Sequence, residues 1–199
     1  EELGHQLSEQ RKKVAKDLEK RVHHELSALY MEKAVFKVHF AKVPVHNFTP
    51  TGIDNVEFYI QTNPGERMGP LAKIASGGEL SRVMLALKTI FTEQADVTSI
   101  IFDEVDTGVS GRVAQAIADK IKVIANHSQV LCITHLPQVA AVAQHQFLIQ
   151  KQVHDQRTTT TVTKLNHQER VDELSRMLAG EKITKLTREH ANELLKMAH

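Results

Sequence analysis

Two adjacent carboxylates follow an apolar run that is typical of a buried strand. Asp103 and Glu104 come directly after residues 100–102, and continuous apolar runs are typical of strands buried on both faces of a parallel sheet. Ligands bind beyond the carboxyl ends of such strands. One carboxylate there can hold Mg²⁺, and a second can orient or deprotonate an attacking water. The alternative is a pair of loop acids without a chemical role.

A glycine-rich helix start is a candidate phosphate-binding element. Ser76, Gly77, Gly78 and Glu79 lead into a helix predicted over residues 80–91. Helix N-termini attract anions through bare N–H groups, and glycine lets a ligand approach the backbone. Ser76 and Glu79 also fit a capping box, which needs no ligand, although capping does not require two successive glycines. The predicted apolar face of the helix comprises Val83, Met84, Leu87, Ile90 and Phe91.

A histidine follows a second apolar run. His135 lies just after residues 130–133, so we expect it to project from the same sheet edge as Asp103 and Glu104. A histidine in that position can donate a hydrogen bond to a phosphate or hold a water. Because the chain has 12 histidines, the alternative is a histidine satisfied within its own loop.

The surrounding segments predict an α/β fold that would position these residues. A helix expected at about 110–125 joins the two apolar runs, which makes a strand–helix–strand unit with parallel strands. Alternating apolar residues at 36–40 and 56–60 predict an antiparallel hairpin upstream, with a turn at 49–52. Two further strands and two closing helices are predicted at 147–149, 159–165, 167–179 and 183–198.

The N-terminal segment, residues 3–30, predicts a single helix. Its apolar positions are spaced mostly by four or seven, with charged residues between them, as at the end of a coiled coil. An ordinary amphipathic surface helix is an equally good interpretation of so few heptads. We therefore expect a coiled-coil end over residues 1–33 and an α/β lobe over residues 34–199.

Composition limits the class of protein only loosely. Lys plus Arg number 25 against 24 for Asp plus Glu, a net charge of +1 that neither requires nor excludes nucleic acid. The single cysteine, Cys132, cannot form a disulfide within the chain and fits a reducing compartment. No apolar run approaches the ~20 residues of a membrane helix. A start without Met inside a helical pattern suggests a fragment of a longer chain.

The order of the three motifs resembles the head of ATP-binding-cassette proteins. There a signature motif, a Walker B motif and a switch histidine follow one another, and residues 105–108 occupy the position of the D-loop. The longer strings 71–88, 102–111 and 134–140 closely resemble the RecN DNA-repair family, part of the SMC-like group of coiled-coil ATPases. The resemblance covers essentially the whole chain. It implies the C-terminal half of an ATPase head, with a mostly parallel sheet flanked by helices.

The resemblance also implies a role for each motif, with ATP and Mg²⁺ as cofactors. Asp103 would help hold Mg²⁺, Glu104 would polarise the attacking water, and His135 would contact the γ-phosphate. Asp106 would communicate across a dimer interface. The signature residues would touch the γ-phosphate of a nucleotide held by the other subunit; they are Ser76, Gly77, Gly78 and Glu79.

One expected motif is absent from this sequence. None of the nine glycines begins the P-loop pattern G-x-x-x-x-G-K-[ST], which lies in the N-terminal half of chains of this family. The implied partners are therefore that Walker A half of the same protein, a second head in a head-to-head homodimer, and DNA, with no membrane. We expect negligible ATP hydrolysis by this chain alone, and an apolar sheet edge left exposed.

On this resemblance, the whole protein would be a cytoplasmic, nucleoid-associated ATPase in recombinational repair of DNA double-strand breaks. Another SMC-like or transporter-type cassette is the first alternative. Transport is disfavoured because a hairpin and a coiled coil, rather than a helical subdomain, precede the signature. A non-catalytic dimerisation or clamp module, in which Glu104 would be dispensable, is the second. No DNA-contacting residue is predicted, because the basic residues of the first helix are interspersed with acids.

Overall fold

The computed structural model describes residues 2–41, 49–73, 77–91, 99–154, 157–180 and 182–198. The chain divides into two compact units, Glu1–Thr98 and Ser99–His199. The sequence-based boundary between residues 33 and 34 concerns a different division and stays a prediction. Among the described residues, no helix combines the length and the apolar character that crossing a bilayer demands.

The first unit joins a long helix to a hairpin and a second helix. Its elements are α1 (Glu2–Ala28), β1 (Val35–Ala41), β2 (Asn55–Gln61), β3 (Gly69–Pro70), a 3₁₀ turn (Leu71–Lys73) and α2 (Gly77–Phe91). β1 and β2 pair antiparallel with Phe36 opposite Ile60, and both of these side chains are buried. The predicted helix and hairpin are therefore confirmed.

α1 is packed at one end and exposed at the other. Val22 and Leu26 are fully buried where the helix lies against β1 and α2. Nearer the start, Leu3 is 79% exposed and Val14 is 66% exposed. The helix ends in a Schellman-type turn, in which Met31 N donates to Leu26 O at 2.9 Å and Tyr30 adopts φ +59°. Leu3 and Val14 are thus left largely exposed to solvent.

A buried carboxylate fastens the hairpin to α1. Ser8 Oγ donates to Asp54 Oδ1 at 2.7 Å, and Arg11 Nη1 donates to Asp54 Oδ2 at 3.1 Å. Burial alone would raise the pKa of Asp54, but hydrogen bonds from Ser8 and Arg11 and the charge of Arg11 outweigh it, so the pKa lies below its ordinary value. At Gly52, φ is +104°, and an added Cβ would lie 3.1 Å from Arg11 Nη1 and from Leu7 Cδ2. Glycine is required there.

We expect Asp54→Asn to lower the free energy of unfolding at pH 7 by about 1–3 kcal/mol, because an amide cannot accept from both Ser8 and Arg11 as the carboxylate does. Since the folded-state pKa is lowered, this contribution is full above the unfolded-state pKa of about 4 and is lost as the pH falls through the folded-state value. Urea unfolding at several pH values measures both effects. Glu57→Gln, an exposed carboxylate on β2, is the control. A deficit that grows as the pH falls would contradict this account.

The second unit begins with a strand–helix–strand motif. β4 (Ser99–Phe102) and β5 (Gln129–Cys132) are parallel, with Phe102 opposite Cys132, and α3 (Gly111–Ala125) connects them. The apolar positions of α3 at Ile117, Ile121 and Ile124 are buried. This motif is the one predicted from the two apolar runs and the period of the helix between them.

The expectation that both faces of these strands are buried is wrong for this chain. Phe102 is 6% exposed, but Ile101 is 70% exposed, Leu131 is 50% exposed and Ile133 is 55% exposed. Among the described residues the parallel sheet has two strands, and only one of its faces is covered. An apolar face is therefore left in contact with solvent, and the expected exposed sheet edge stays a prediction.

The remaining elements form a ribbon and a small helical core. β6 (Phe147–His154) and β7 (Arg157–Lys164) pair antiparallel, and β7 is exposed along its length. α4 (Pro137–Ala141), α5 (His167–Ala179) and α6 (Lys185–Ala198) share a core. A capping box between Asn166 and Glu169 starts α5. The predicted strands and closing helices are confirmed, although α6 begins at Lys185.

Candidate functional site

The two carboxylates lie where β4 ends, in a turn with unusual backbone geometry. Asp103 and Glu104 are exposed, and Glu104 has φ +56°, in the left-handed region that residues other than glycine rarely adopt. The turn is anchored from beneath by Val105, which is fully buried, and by Asp106, which is 2% exposed. Strain of this kind clusters at functional sites, where the surrounding structure enforces it. Glu104 is thereby held at the surface just beyond the strand.

The histidine lies at the same edge of the sheet. Ile133 N donates to Phe102 O at 2.9 Å, which extends the β4–β5 ladder by one residue beyond β5. His135 follows, with its side chain 66% exposed. The structure therefore brings Asp103, Glu104 and His135 to neighbouring strand ends, as the sequence predicts.

A buried carboxylate connects the two turns. Asp106 Oδ2 accepts from Thr134 Oγ1 at 2.5 Å and from His135 N at 3.0 Å, and it lies 3.3 Å from His135 Nδ1. Leu136 N in turn donates to Thr134 Oγ1 at 3.0 Å. The Asp106 carboxylate is thus engaged within its own unit. Sequence reasoning missed Thr134, because a hydroxyl after a strand is too common to stand out.

The helix behind the histidine is held by a buried arginine. Arg170 donates through Nη2 to Ala141 O at 3.2 Å and to Ala143 O at 2.7 Å, and through Nε to Gln146 Oε1 at 3.3 Å. These contacts fix the C-terminal end of α4 and the turn that follows it. Burial lowers the pKa of the Arg170 guanidinium. The segment from His135 to Gln146 is therefore anchored at both ends, by Asp106 before α4 and by Arg170 after it.

The single cysteine is a packing residue rather than a nucleophile. Burial raises the pKa of the Cys132 thiol to about 12, and the negative charges of Asp106 and Asp103 add to the effect. Since the thiolate is the reactive form, Cys132 stays protonated and unreactive near neutral pH.

The signature segment lies in the first unit, at the start of α2. Gly77 and Gly78 begin the helix and Gly77 is exposed, whereas Ser76 lies outside the described residues, so the capping box is not described. Glu79 Oε1 accepts from Asn63 Nδ2 at 3.2 Å, and the same amide donates to Glu66 Oε1 at 3.1 Å. The loop after β2 therefore positions the start of α2.

α2 is held in place by its apolar face. Val83 and Leu85 are fully buried, whereas Met84, predicted on this face, is 39% exposed. That prediction is wrong because Leu85 takes the buried position in place of its neighbour. Arg21 of α1 donates to Ile90 O at 3.3 Å near the end of α2.

Relatives of known name indicate the family of this chain. It is 56% identical over 194 residues, 96% of its length, to the DNA repair protein RecN of Halalkalibacterium halodurans, and 56% identical over 205 residues to RecN of Bacillus subtilis. It is 43% identical over 189 residues to RecN of Vibrio cholerae. The chain belongs to the RecN family. It spans 34–36% of the length of these relatives, and no family model matches it.

The fold is that of part of an SMC head. The RecN-family chain aligns with the Smc head domain with a coiled coil and joint from Pyrococcus yayanosii at a TM-score of 0.56 and 18% identity, over 83% of this chain and 29% of that one. The Smc head domain with an extended coiled coil from Pyrococcus furiosus aligns at a TM-score of 0.53 and 17% identity. The alignment covers 85% of this chain and 39% of that one. At such identities the likeness concerns the fold alone, and it confirms the predicted α/β head.

The carboxylate at the strand end of the RecN-family chain fits Mg²⁺, an ion that does not need a site made of protein ligands alone. The described residues contain no group of three or more His, Cys, Asp or Glu that could hold a metal ion. Mg²⁺ is commonly held by one or two carboxylates together with substrate phosphates and waters. Asp103, an exposed carboxylate beyond β4, provides oxygen ligands of that kind.

Proposed function

We propose that this RecN-family chain supplies the Walker B carboxylates, the switch histidine and the signature motif to a composite ATP site, within an ATPase that repairs DNA. The observation that carries the proposal is the meeting of Asp103, Glu104 and His135 at the ends of two parallel strands. The name of the relatives, DNA repair protein, supports the cellular role. Recombinational repair of double-strand breaks, DNA as a partner and a cytoplasmic, nucleoid-associated location belong to the same proposal.

Each residue at the strand ends has a distinct task in ATP hydrolysis. Mg²⁺, held by Asp103 with the phosphates, would neutralise charge that develops on the phosphoryl oxygens. Glu104, fixed at the surface by its left-handed turn, accepts a hydrogen bond from the attacking water and orients it. His135 presents its ring to the γ-phosphate. Catalysis of phosphoryl transfer rests mainly on positioning and electrostatic stabilisation, which suits turns anchored as firmly as these.

The signature segment acts on a nucleotide held by a second copy. α2 is 15 residues long, and the first N–H groups of a helix attract anions. Exposed Gly77 leaves room for a phosphate, and Asn63 draws the Glu79 carboxylate toward the loop after β2. The P-loop that cradles the other phosphates would come from the Walker A half of the same protein.

Two uncovered apolar surfaces support an assembly larger than this chain. The exposed face of β4 and β5, with Ile101 and Leu131, would be covered by elements of the Walker A half. The exposed stripe on α1, with Leu3 and Val14, matches a coiled-coil arm over residues 1–33. The rest of the chain, residues 34–199, would then form the C-terminal lobe of the head.

Sedimentation of the complete protein, with and without MgATP, tests this proposal. We expect MgATP to convert monomers into head-to-head dimers, because each ATP would contact one P-loop and the opposing signature motif. Nucleotide-dependent dimers without any hydrolysis would favour the clamp module instead. Association that is the same with and without MgATP would contradict both functions.

A further inference from the structure

We propose that Asp106 is a positioning residue, whose carboxylate decides which nitrogen of His135 carries the hydrogen and thereby presents Nε2 to the nucleotide. The inference rests on the proposed function and deepens it. It assigns Asp106 a task within its own unit, in addition to any part it plays at an interface between heads.

The proximity of the Asp106 carboxylate and the His135 ring favours one ring nitrogen as the hydrogen-bond donor. Asp106 Oδ2 lies 3.3 Å from His135 Nδ1. A carboxylate can only accept hydrogen bonds, so its charge at this distance favours the tautomer with hydrogen on Nδ1. Neutral imidazole has one donor and one acceptor nitrogen, and the bond made by one decides the state of the other. Nε2 is therefore left as the free nitrogen on a side chain that is 66% exposed.

The carboxylate is itself held in place. Asp106 is 2% exposed, and Thr134 Oγ1 and His135 N donate to the same oxygen at 2.5 and 3.0 Å. Bonds to a charged acceptor are short and strong. The His135 backbone N–H is bound to one buried oxygen, and the ring Nδ1 lies 3.3 Å from the same oxygen, so the position of Asp106 restrains the ring.

A purely structural role for Asp106 makes a different prediction. Any acceptor oxygen, including that of Asn, could accept the hydrogen bonds from Thr134 Oγ1 and His135 N and so preserve the turn. A negatively charged group that cannot donate strongly favours hydrogen on the ring nitrogen that faces it. Asp106→Asn separates the two roles, because its amide oxygen can keep the turn while the loss of negative charge weakens the preference for hydrogen on His135 Nδ1.

The tautomer can be measured directly. We expect long-range ¹H–¹⁵N spectra of this 199-residue chain, labelled at histidine and recorded where the ring is neutral, to show hydrogen on His135 Nδ1. His135→Gln identifies the resonance. Asp106→Asn should raise the fraction of hydrogen on Nε2, and Thr134→Val, which keeps the carboxylate, should not. Hydrogen on Nε2 in the unaltered chain would overturn the proposal even if the Asn variant fails to fold.

Kinetics of the complete protein give a second readout. Asp106→Asn should lower kcat at least about tenfold, as loss of a partner that orients a site residue typically does, with little change in KM. In a background of His135→Gln the same change should have no further effect on kcat, because the residue it positions is gone. Additive losses would overturn the proposal. If the complete protein hydrolyses no ATP, the proposed function fails while the tautomer still decides the role of Asp106.

Discussion

Replacing Glu104 with Gln in a complete head should lower ATP hydrolysis about 100-fold or more, the range expected when a positioned general base is lost. The amide matches the carboxylate in shape but cannot take a proton from water. Because Glu104 is exposed, the stability of the chain should change little. Steady-state phosphate release gives kcat and KM, and thermal unfolding checks the fold.

Glu104→Gly is the matched variant for this prediction. Hydrolysis should be lost as with Gln, but the free energy of unfolding should rise by up to about 1 kcal/mol, because glycine adopts φ +56° without strain. Opposite effects on activity and stability would identify the strained turn as a functional feature. Substantial hydrolysis by the Gln variant, or a clear loss of stability in the Gly variant, would argue against the assignment.

Gly77→Asp should abolish MgATP-dependent dimerisation and reduce hydrolysis at least about tenfold. The new carboxylate would stand where the γ-phosphate of the opposing nucleotide is proposed to bind. An acid in the first turn of a helix stabilises it by about 0.3–1 kcal/mol, so the fold should be at least as stable. Gly77→Ala, which adds a methyl group without charge, should lose much less activity.

Mixing two inactive variants tests whether the signature acts on the opposing subunit. A dimer of one Gly77→Asp copy and one Glu104→Gln copy contains one site with both groups intact. In a preparation isolated as mixed dimers, hydrolysis should recover to roughly half of the unaltered rate, since each mixed dimer has one working site of two. No recovery in a mixture shown to exchange subunits would place the signature and Glu104 in the same copy's site.

The local pattern of the sequence was enough to predict the elements that carry the site. Continuous apolar runs predict β4 and β5, and the spacing of Val113, Ile117, Ile121 and Ile124 predicts the helix between them. These features together place Glu104 and His135 at one sheet edge, because parallel strands end on the same side.

Features that depend on tertiary contacts were not predictable from the sequence. Asp106 meets His135 only because of the register of β4 and β5, which pairs Phe102 with Cys132. The left-handed φ of Glu104 carries no sequence signal, since glycine is the residue that normally marks this conformation. The exposure of Ile101 and Leu131 depends on which parts of the head are present, whereas an apolar run indicates only that both faces are suited to burial.

The most direct test of a composite ATP site is hydrolysis by this chain alone, by the P-loop-bearing N-terminal half alone, and by their associated mixture. The account predicts negligible activity for either part and clear, saturable hydrolysis by the mixture, lost on Glu104→Gln. Saturable hydrolysis by the pure chain would contradict it. So would a folded, associated mixture without activity, which would leave Asp103 and Glu104 as structural acids in a clamp module.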